Sequence, residues 1–348
     1  MINIGNAFAL MALLAWPLVS IVLFRSMPLA RALIWSILGA YMILPQLSAI
    51  NFPLVPPLNK ESIPNLMAFV LCMSVWGRMP GLLPQAWIGR GLVLIFVLSP
   101  VVTVLTNLEP LQFGVDRFGS MTLVDPNNLE LWGLPGLRIY DSASALVQQI
   151  FFMLPFFLAR EVLRTPEALR EILLALVIAG VIYALPMLYE VRFSPQLHTR
   201  LYGFFQHDFI QAIRQGGFRP FVFMPHGLWV AFFAVMVTLA AAARTRIAAP
   251  DQFAKRLLFV GFGFCLVIIC KSMGPLLYAL AFVPLVLLFP PRFHLFVATC
   301  LVTLVIAYPL LRGAGWVPTD WILAQVEEMS PDRAQSLGFR FGNEDSIL

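Results

Sequence analysis

Between Glu190 and Gly227 the chain reads EVRFSPQLHTRLYGFFQHDFIQAIRQGGFRPFVFMPHG. Arg192, Arg200, Arg214 and Arg219 stand there with His198, His207 and His226, and only Glu190 and Asp208 offset them. A guanidinium is a planar fork of donors that stays charged and grips phosphate through parallel hydrogen bonds, so such a cluster suits a phosphate or diphosphate. Gly216 and Gly217 lack the Cβ that would hold a ligand away from backbone donors. Histidine titrates near neutral pH, so the same segment offers groups that could move a proton. Its aromatics, from Phe193 to Phe223, leave a second reading open: an interfacial segment whose arginines meet lipid headgroups and whose rings form a belt.

The elements that must position this loop are apolar throughout. Of 348 residues, 60% are hydrophobic and 12% charged, and the mean hydropathy is +0.84, which excludes a water-soluble domain. Ten uncharged blocks run near Phe8–Phe24, Ala32–Ile50, Ile63–Trp76, Gly91–Leu105, Ala143–Ala159, Ile172–Tyr189, Leu228–Ala243, Leu257–Cys270, Gly274–Leu288 and Leu295–Leu311. Their length is that of a bilayer crossing. A backbone inside hydrocarbon must satisfy its own hydrogen bonds, and these blocks lack the alternation of a barrel strand, so they are predicted to be helices. The expected fold is an all-α integral membrane protein, a single polytopic bundle of about ten transmembrane helices over 1–348 with short interfacial helices. Pro17, Pro100, Pro155 and Pro186 predict kinks.

Orientation follows the basic residues. If the first span ends in the cytoplasm, twelve of the 23 Lys and Arg, from Arg25 to Arg292, fall in short loops on that side with only Glu161, Glu167, Glu171 and Asp251. The outer side then holds three long segments, 107–142, 190–227 and 312–348. The first is loop-like, with Asp116, Asp125, Pro126 and Asn127 marking turns. In the last, Ser330 and Pro331 predict a helix start, followed by Arg333, Phe339, Arg340 and Phe341 on a surface-lying helix, where Arg340 meets headgroups or the same anionic ligand. No basic n-region or cleavage site precedes the first block, which is therefore a retained span. The pI near 9.2 comes from scattered loop residues rather than a basic stripe, which argues against nucleic acid. Cys72, Cys265, Cys270 and Cys300 lie in or beside apolar blocks and imply neither disulfide nor metal. No cofactor-binding motif is present in the sequence; Lys271 reads as a snorkelling interfacial cation, and Gln148 and Gln149 as ties between helices.

The runs SPQLHTRLYGFF (Ser194 to Phe205), RQGGFRPFVFMPHGLWVAFF (Arg214 to Phe233) and SLGFRFGNED (Ser336 to Asp345) resemble the O-antigen ligase and O-antigen polymerase superfamily, including its exopolysaccharide-polymerase branch. That resemblance implies metal-independent glycosyl transfer on the periplasmic face of the bacterial inner membrane. A glycan would pass from undecaprenyl diphosphate to a sugar hydroxyl, with the lipid-linked oligosaccharide and membrane lipids as partners. By match to the family's diphosphate-binding arginines, the candidates are Arg219 and Arg214, then Arg200. The ligases' histidine lies in a later outer loop, whereas this sequence has none after Arg312, so it reads as shorter than the family pattern and His226 becomes the substitute catalytic base. His198 and His207 rank below it, and His294 last. The competing classes are a transporter or flippase for a lipid-linked sugar and a non-catalytic assembly subunit. The ten blocks contain no Asp, Glu, Lys or Arg, which argues against an ion-driven carrier.

Overall fold

The computed structural model describes residues 5–52, 56–81, 83–115, 121–123, 131–214, 216–329 and 331–345. In chain order its helices are α1 (Ala7–Ser26), α2 (Leu29–Ile43), α3 (Ser62–Trp76), α4 (Trp87–Thr106), α5 (Ile139–Val162), α6 (Pro166–Phe193), α7 (Leu197–Tyr202), α8 (Gly227–Arg246), α9 (Pro250–Ile269), α10 (Met273–Leu288), α11 (Pro291–Gly313), α12 (Thr319–Met329) and α13 (Pro331–Asp345). Each uncharged block falls on one of these. Seven helices, α1, α4, α5, α6, α8, α9 and α11, are long and apolar enough to cross a bilayer, and α2, α3 and α10 are shorter apolar helices. The chain is an all-α membrane protein.

Local chemistry sets the boundaries. The side chains of Asn6, Thr165 and His226 accept the first free N–H groups of α1, α6 and α8, and Pro166, Pro250 and Pro291 occupy first positions where no N–H is needed. Pro17, Pro100, Pro155 and Pro186 lie inside continuous helices. The second block was expected to run to Ile50, but α2 stops at Ile43. Leu44 precedes Pro45, whose ring disfavours helical backbone at the residue before it, and Leu44 is extended. Ala49–Ile50 (β1) then pairs with Leu58–Asn59 (β2). Segment 107–142 was expected to be loop; it instead carries a three-stranded antiparallel sheet of Leu111–Val115 (β3), Met121–Leu123 (β4) and Leu131–Leu134 (β5), and α5 begins at Ile139. The short alternation Leu111, Phe113, Val115 was the missed signal. Asp116, Asp125, Pro126 and Asn127 lie outside the described residues, as does Ser330, while α13 does begin at Pro331.

The chain divides into two compact units, 1–283 and 284–348. In the first, α8 is the central helix, packed between α6 and α9 with Ala231, Phe233, Ala234 and Val237 buried against Ala179, Tyr183, Leu266 and Val267. A Cβ at Gly180 would lie 2.4 Å from Val237 and one at Gly263 would lie 2.5 Å from Thr238, so both glycines are contact points where the helices meet closely. The loops of this unit sort to two ends. At one, Arg31 pairs with Glu171 at 2.8 Å and Arg78 and Arg164 approach Glu161. At the other, Asn6, Gln46, Lys60 and Lys271 all bond to the segment between α6 and α8. In the second unit, Arg312 of α11 pairs with Glu344 and Asp345 of α13, and its guanidinium lies over Phe341.

The short helix α7 closes the second of those ends. Tyr202 donates its hydroxyl to Ile43 O, and buried His198 lies between Tyr202, Phe204 and Phe223. Nε2 of His198 accepts from Gln46 N–H at 3.2 Å, so Nδ1 carries the proton and donates to Phe204 O at 2.8 Å. Burial pushes this imidazole down to about 4. Because the folded chain resists a proton that the unfolded chain binds, stability is expected to fall as pH drops from about 6.5 toward 4, by up to about 3 kcal/mol. Melting curves in detergent should show this for the parent protein. His198→Gln should melt lower at pH 7 but show a flatter dependence on pH.

Candidate anion-binding site

The segment between α6 and α8 folds back into the protein. After α7, Asp208 caps a 3₁₀ turn over Phe209–Ala212, and Ile213–Arg214 (β6) pairs with Gly217–Phe218 (β7) in a tight hairpin. Arg219 N–H bonds to Ala212 O, and the chain then descends from Arg219 to His226, the N-cap of α8.

A buried stretch of irregular backbone requires a partner for each polar group. Glu190, at the last turn of α6 and 1% exposed, supplies most of them: Oε2 accepts from Phe221 N–H at 2.8 Å and Val222 N–H at 2.7 Å, and Oε1 from Leu197 N–H at 3.1 Å. Gln206 donates to Val222 O and Met224 O. Phe223 N–H bonds to Tyr183 OH, and Phe223 O accepts from Lys60 Nζ at 2.6 Å. Val222 is held at φ 52°, a left-handed conformation that a β-branched residue resists. Two consecutive N–H groups converging on one carboxylate oxygen hold it there. Strain fixed by so many bonds is characteristic of backbone that positions a functional side chain.

The side chain so positioned is Arg219. It is 5% exposed, and among the described residues no carboxylate lies within ion-pair distance of it. Glu190, which with Asp208 offsets the loop's arginines in the sequence, spends its oxygens on backbone N–H groups. Nε of Arg219 is buried with no partner, and the guanidinium lies 5.4 Å from the Phe221 ring centre. Burial first, then neighbouring Arg214, push this group down to about 10, still charged at neutral pH.

Nη2 of Arg219 faces Nε2 of His226 at 2.8 Å. Nδ1 of His226 accepts the Leu228 N–H at 3.0 Å, which places the neutral ring's proton on Nε2, where Gln211 Oε1 also lies at 3.0 Å. Arginine has only donors, so Nε2–H and Nη2–H confront each other. The other tautomer only moves the conflict, setting Nδ1–H against Leu228 N–H. An anionic oxygen beside the pair would accept from both and remove it. Burial, then Arg219, His207 and Arg214, push His226 down to about 4, so the ring is neutral at pH 7. This arrangement suits a hydrogen-bond donor, whereas a base would have to surrender one of the two contacts first.

The four sequence candidates separate. Arg219, Arg214 and His226 come together, and the ring of His207 lies 4.6 Å from that of His226. Arg200 bonds to Tyr189 OH and lies over that ring, with no contact to the other three among the described residues. Three residues were not singled out as part of this site. Lys271, expected only to snorkel, donates to Arg214 O at 3.2 Å, and a Cβ on Gly217 would lie 2.5 Å from its ammonium. Lys60, 4% exposed, is pushed by burial down to about 7 and holds Phe223 from below. Gln211 fixes His226. The lone lysine in the proline-rich run after Phe52 was a readable signal; Gln211 offered none.

Gly227 makes room for the guanidinium. A Cβ there would lie 2.8 Å from Arg219 Nε and 2.9 Å from Cδ. Gly227→Ala is therefore expected to displace Arg219 and weaken any binding of an anion there by about 10- to 100-fold while the melting temperature stays near that of the parent. Titration with inorganic pyrophosphate checks this.

No protein-family model, curated protein or solved structure matches this chain. Among the described residues no cluster of His, Cys, Asp and Glu could hold a metal ion.

Proposed function

We propose that this chain is a ten-span protein of the bacterial inner membrane that binds the diphosphate of an undecaprenyl-diphosphate-linked glycan at Arg219 and transfers the glycan to a sugar hydroxyl, as a polysaccharide polymerase or an O-antigen ligase does. The observation that carries the reading is the buried Arg219 cation, which among the described residues has no anion beside it and whose Nη2 faces a ring nitrogen of His226 rather than a carboxylate. When the bond from the anomeric carbon to the diphosphate oxygen breaks, its electron pair stays on that oxygen. Fixed donors in a site shielded from water stabilise such charge as it develops. Arg219 and His226 meet the phosphate oxygens directly, and Arg214 and Lys271 add positive potential from the hairpin. The acceptor oxygen bonds to the anomeric carbon, and its proton passes to the departing diphosphate, whose oxygen has received the electron pair.

The meeting of Asn6, Gln46, Lys60 and Lys271 at one end of the first unit is what alternating crossings would give if these segments share a face, and the short-loop arginines on the opposite side make that face the outer one. A reporter fused after Gly217 should be active only in the periplasm. The carrier alternative is disfavoured by Glu190, the buried acid at the end of α6, whose oxygens are committed to three backbone N–H groups rather than to a transported ion. Arg219→Ala should abolish polymer or ligated glycan in cells that still express the protein. If it instead stops movement of the lipid-linked sugar across vesicle membranes, the chain is a carrier.

A further inference from the structure

A groove opens on the membrane-facing side of the first unit, at the end opposite Arg219. It runs between α6 and α9 over α8 and has a volume of about 370 Å³, within the range of about 300–1,000 Å³ typical of ligand pockets. Its walls are apolar: Leu174, Val177, Ile178, Val181 and Ile182 of α6 face Ala241 of α8 and Phe259 of α9. From Leu174 to Ile182 the helical rise gives it a length of about 12 Å. The side chains of Ile178, Val181, Ile182 and Phe259 remain exposed, as expected where hydrocarbon rather than protein covers them.

Only one end of the groove is polar, and it is cationic. Arg244, in the last turn of α8, and Arg256, in the second turn of α9, form its mouth. Arg256 donates to Arg244 O at 2.9 Å and to Gln252 Oε1 at 2.6 Å, which holds its guanidinium at the end of α8, near enough to Arg244 for the two charges to act on each other. Neither forms an ion pair among the described residues. Glu171 acts on Arg244 electrostatically, but its carboxylate is already held by Arg31 through two hydrogen bonds. Two half-buried cations where the helices begin and end, beside an apolar channel along α6, match a molecule with an anionic head and an alkyl tail.

We propose that this groove binds one anionic glycerophospholipid, its phosphate between Arg244 and Arg256 and an acyl chain along α6 as far as Ile182. The proposal is independent of the reading of Arg219, because the two sites lie at opposite ends of the bundle and share no residue. Bound lipid fills the gap between α6 and α9 and ties them to α8, the helix that begins at His226.

Native mass spectrometry of the full chain in detergent, titrated with dioleoylphosphatidylglycerol and with dioleoylphosphatidylcholine, tests it. One phosphatidylglycerol should bind in preference to phosphatidylcholine, and the double variant Arg244→Gln with Arg256→Gln should lose about 30-fold in its affinity, taking roughly 1 kcal/mol for each arginine. Val181→Trp fills the channel from an exposed position without touching either cation, and should also abolish the bound lipid while the protein elutes and melts normally. Equal binding of the two lipids, undiminished binding in both variants, or equal affinity for glycerol 3-phosphate, which has no chain to place, would overturn the proposal.

Discussion

Arg219→Met is expected to lower glycan transfer by about 10²- to 10³-fold while leaving the protein at least as resistant to heat as the parent. The first half follows from the chemistry: removing a donor aimed at developing negative charge costs about 2.7–4 kcal/mol of transition-state stabilisation. The second follows from burial. A cation that is 5% exposed and has no carboxylate beside it among the described residues carries a desolvation penalty that the Phe221 ring offsets only in part. Methionine restores similar volume without the charge; replacing even a paired buried charge and its partner by apolar residues is often neutral or stabilising, so removing a cation with no ion pair should not destabilise. Arg219→Lys retains charge but loses the planar fork, and should recover only part of the activity. Transfer from isolated lipid-linked donor, measured beside melting curves in detergent, checks both halves. A variant that is inactive because it is unstable would show that Arg219 supports the fold rather than binds an anion.

Glu190→Gln should behave in the opposite way, losing stability first and activity as a consequence. The carboxylate accepts from Leu197, Phe221 and Val222 with two oxygens; Glu190, Phe221 and Val222 are buried and Leu197 is half-buried. An amide offers one oxygen and turns an NH₂ toward the remaining N–H groups, so donors face donors. Hydrogen bonds to a charged group are worth about 1.5–3 kcal/mol each, and a stranded buried N–H adds a desolvation cost, giving an expected loss of about 2–4 kcal/mol. The strained backbone at Val222 should then relax and carry Arg219 away from His226. Faster hydrogen exchange at the Phe221 and Val222 amides, together with a lower melting temperature, is the signature. Unchanged exchange at both amides would mean that Glu190 does not hold the loop.

The helices were legible because a bilayer imposes one rule: a backbone with no water around it must satisfy itself, so long uncharged runs become helices. Their ends were less so, since α2 stops where Pro45 begins to act on Leu44, seven residues before the apolar run does. The site was half legible. Guanidinium chemistry marks all the arginines of the 190–227 loop alike, and nothing in their spacing separates Arg219, turned inward by the β6–β7 hairpin, from Arg200, left on Tyr189. In the sequence Glu190 and Asp208 offset the arginines of the loop, whereas the fold gives the oxygens of Glu190 to the backbone and leaves Arg219 without an ion pair among the described residues. Lys60 and Lys271 reach the loop from distant parts of the chain, through contacts that no local pattern encodes.

The central claim is that Arg219 is buried in order to hold a diphosphate. Binding of undecaprenyl diphosphate to the detergent-purified chain and to Arg219→Met, measured by native mass spectrometry, addresses it without requiring the acceptor. The account expects one diphosphate bound by the parent protein more tightly than undecaprenyl monophosphate, and that preference lost in the folded variant. Equal binding of the diphosphate by both proteins would contradict it.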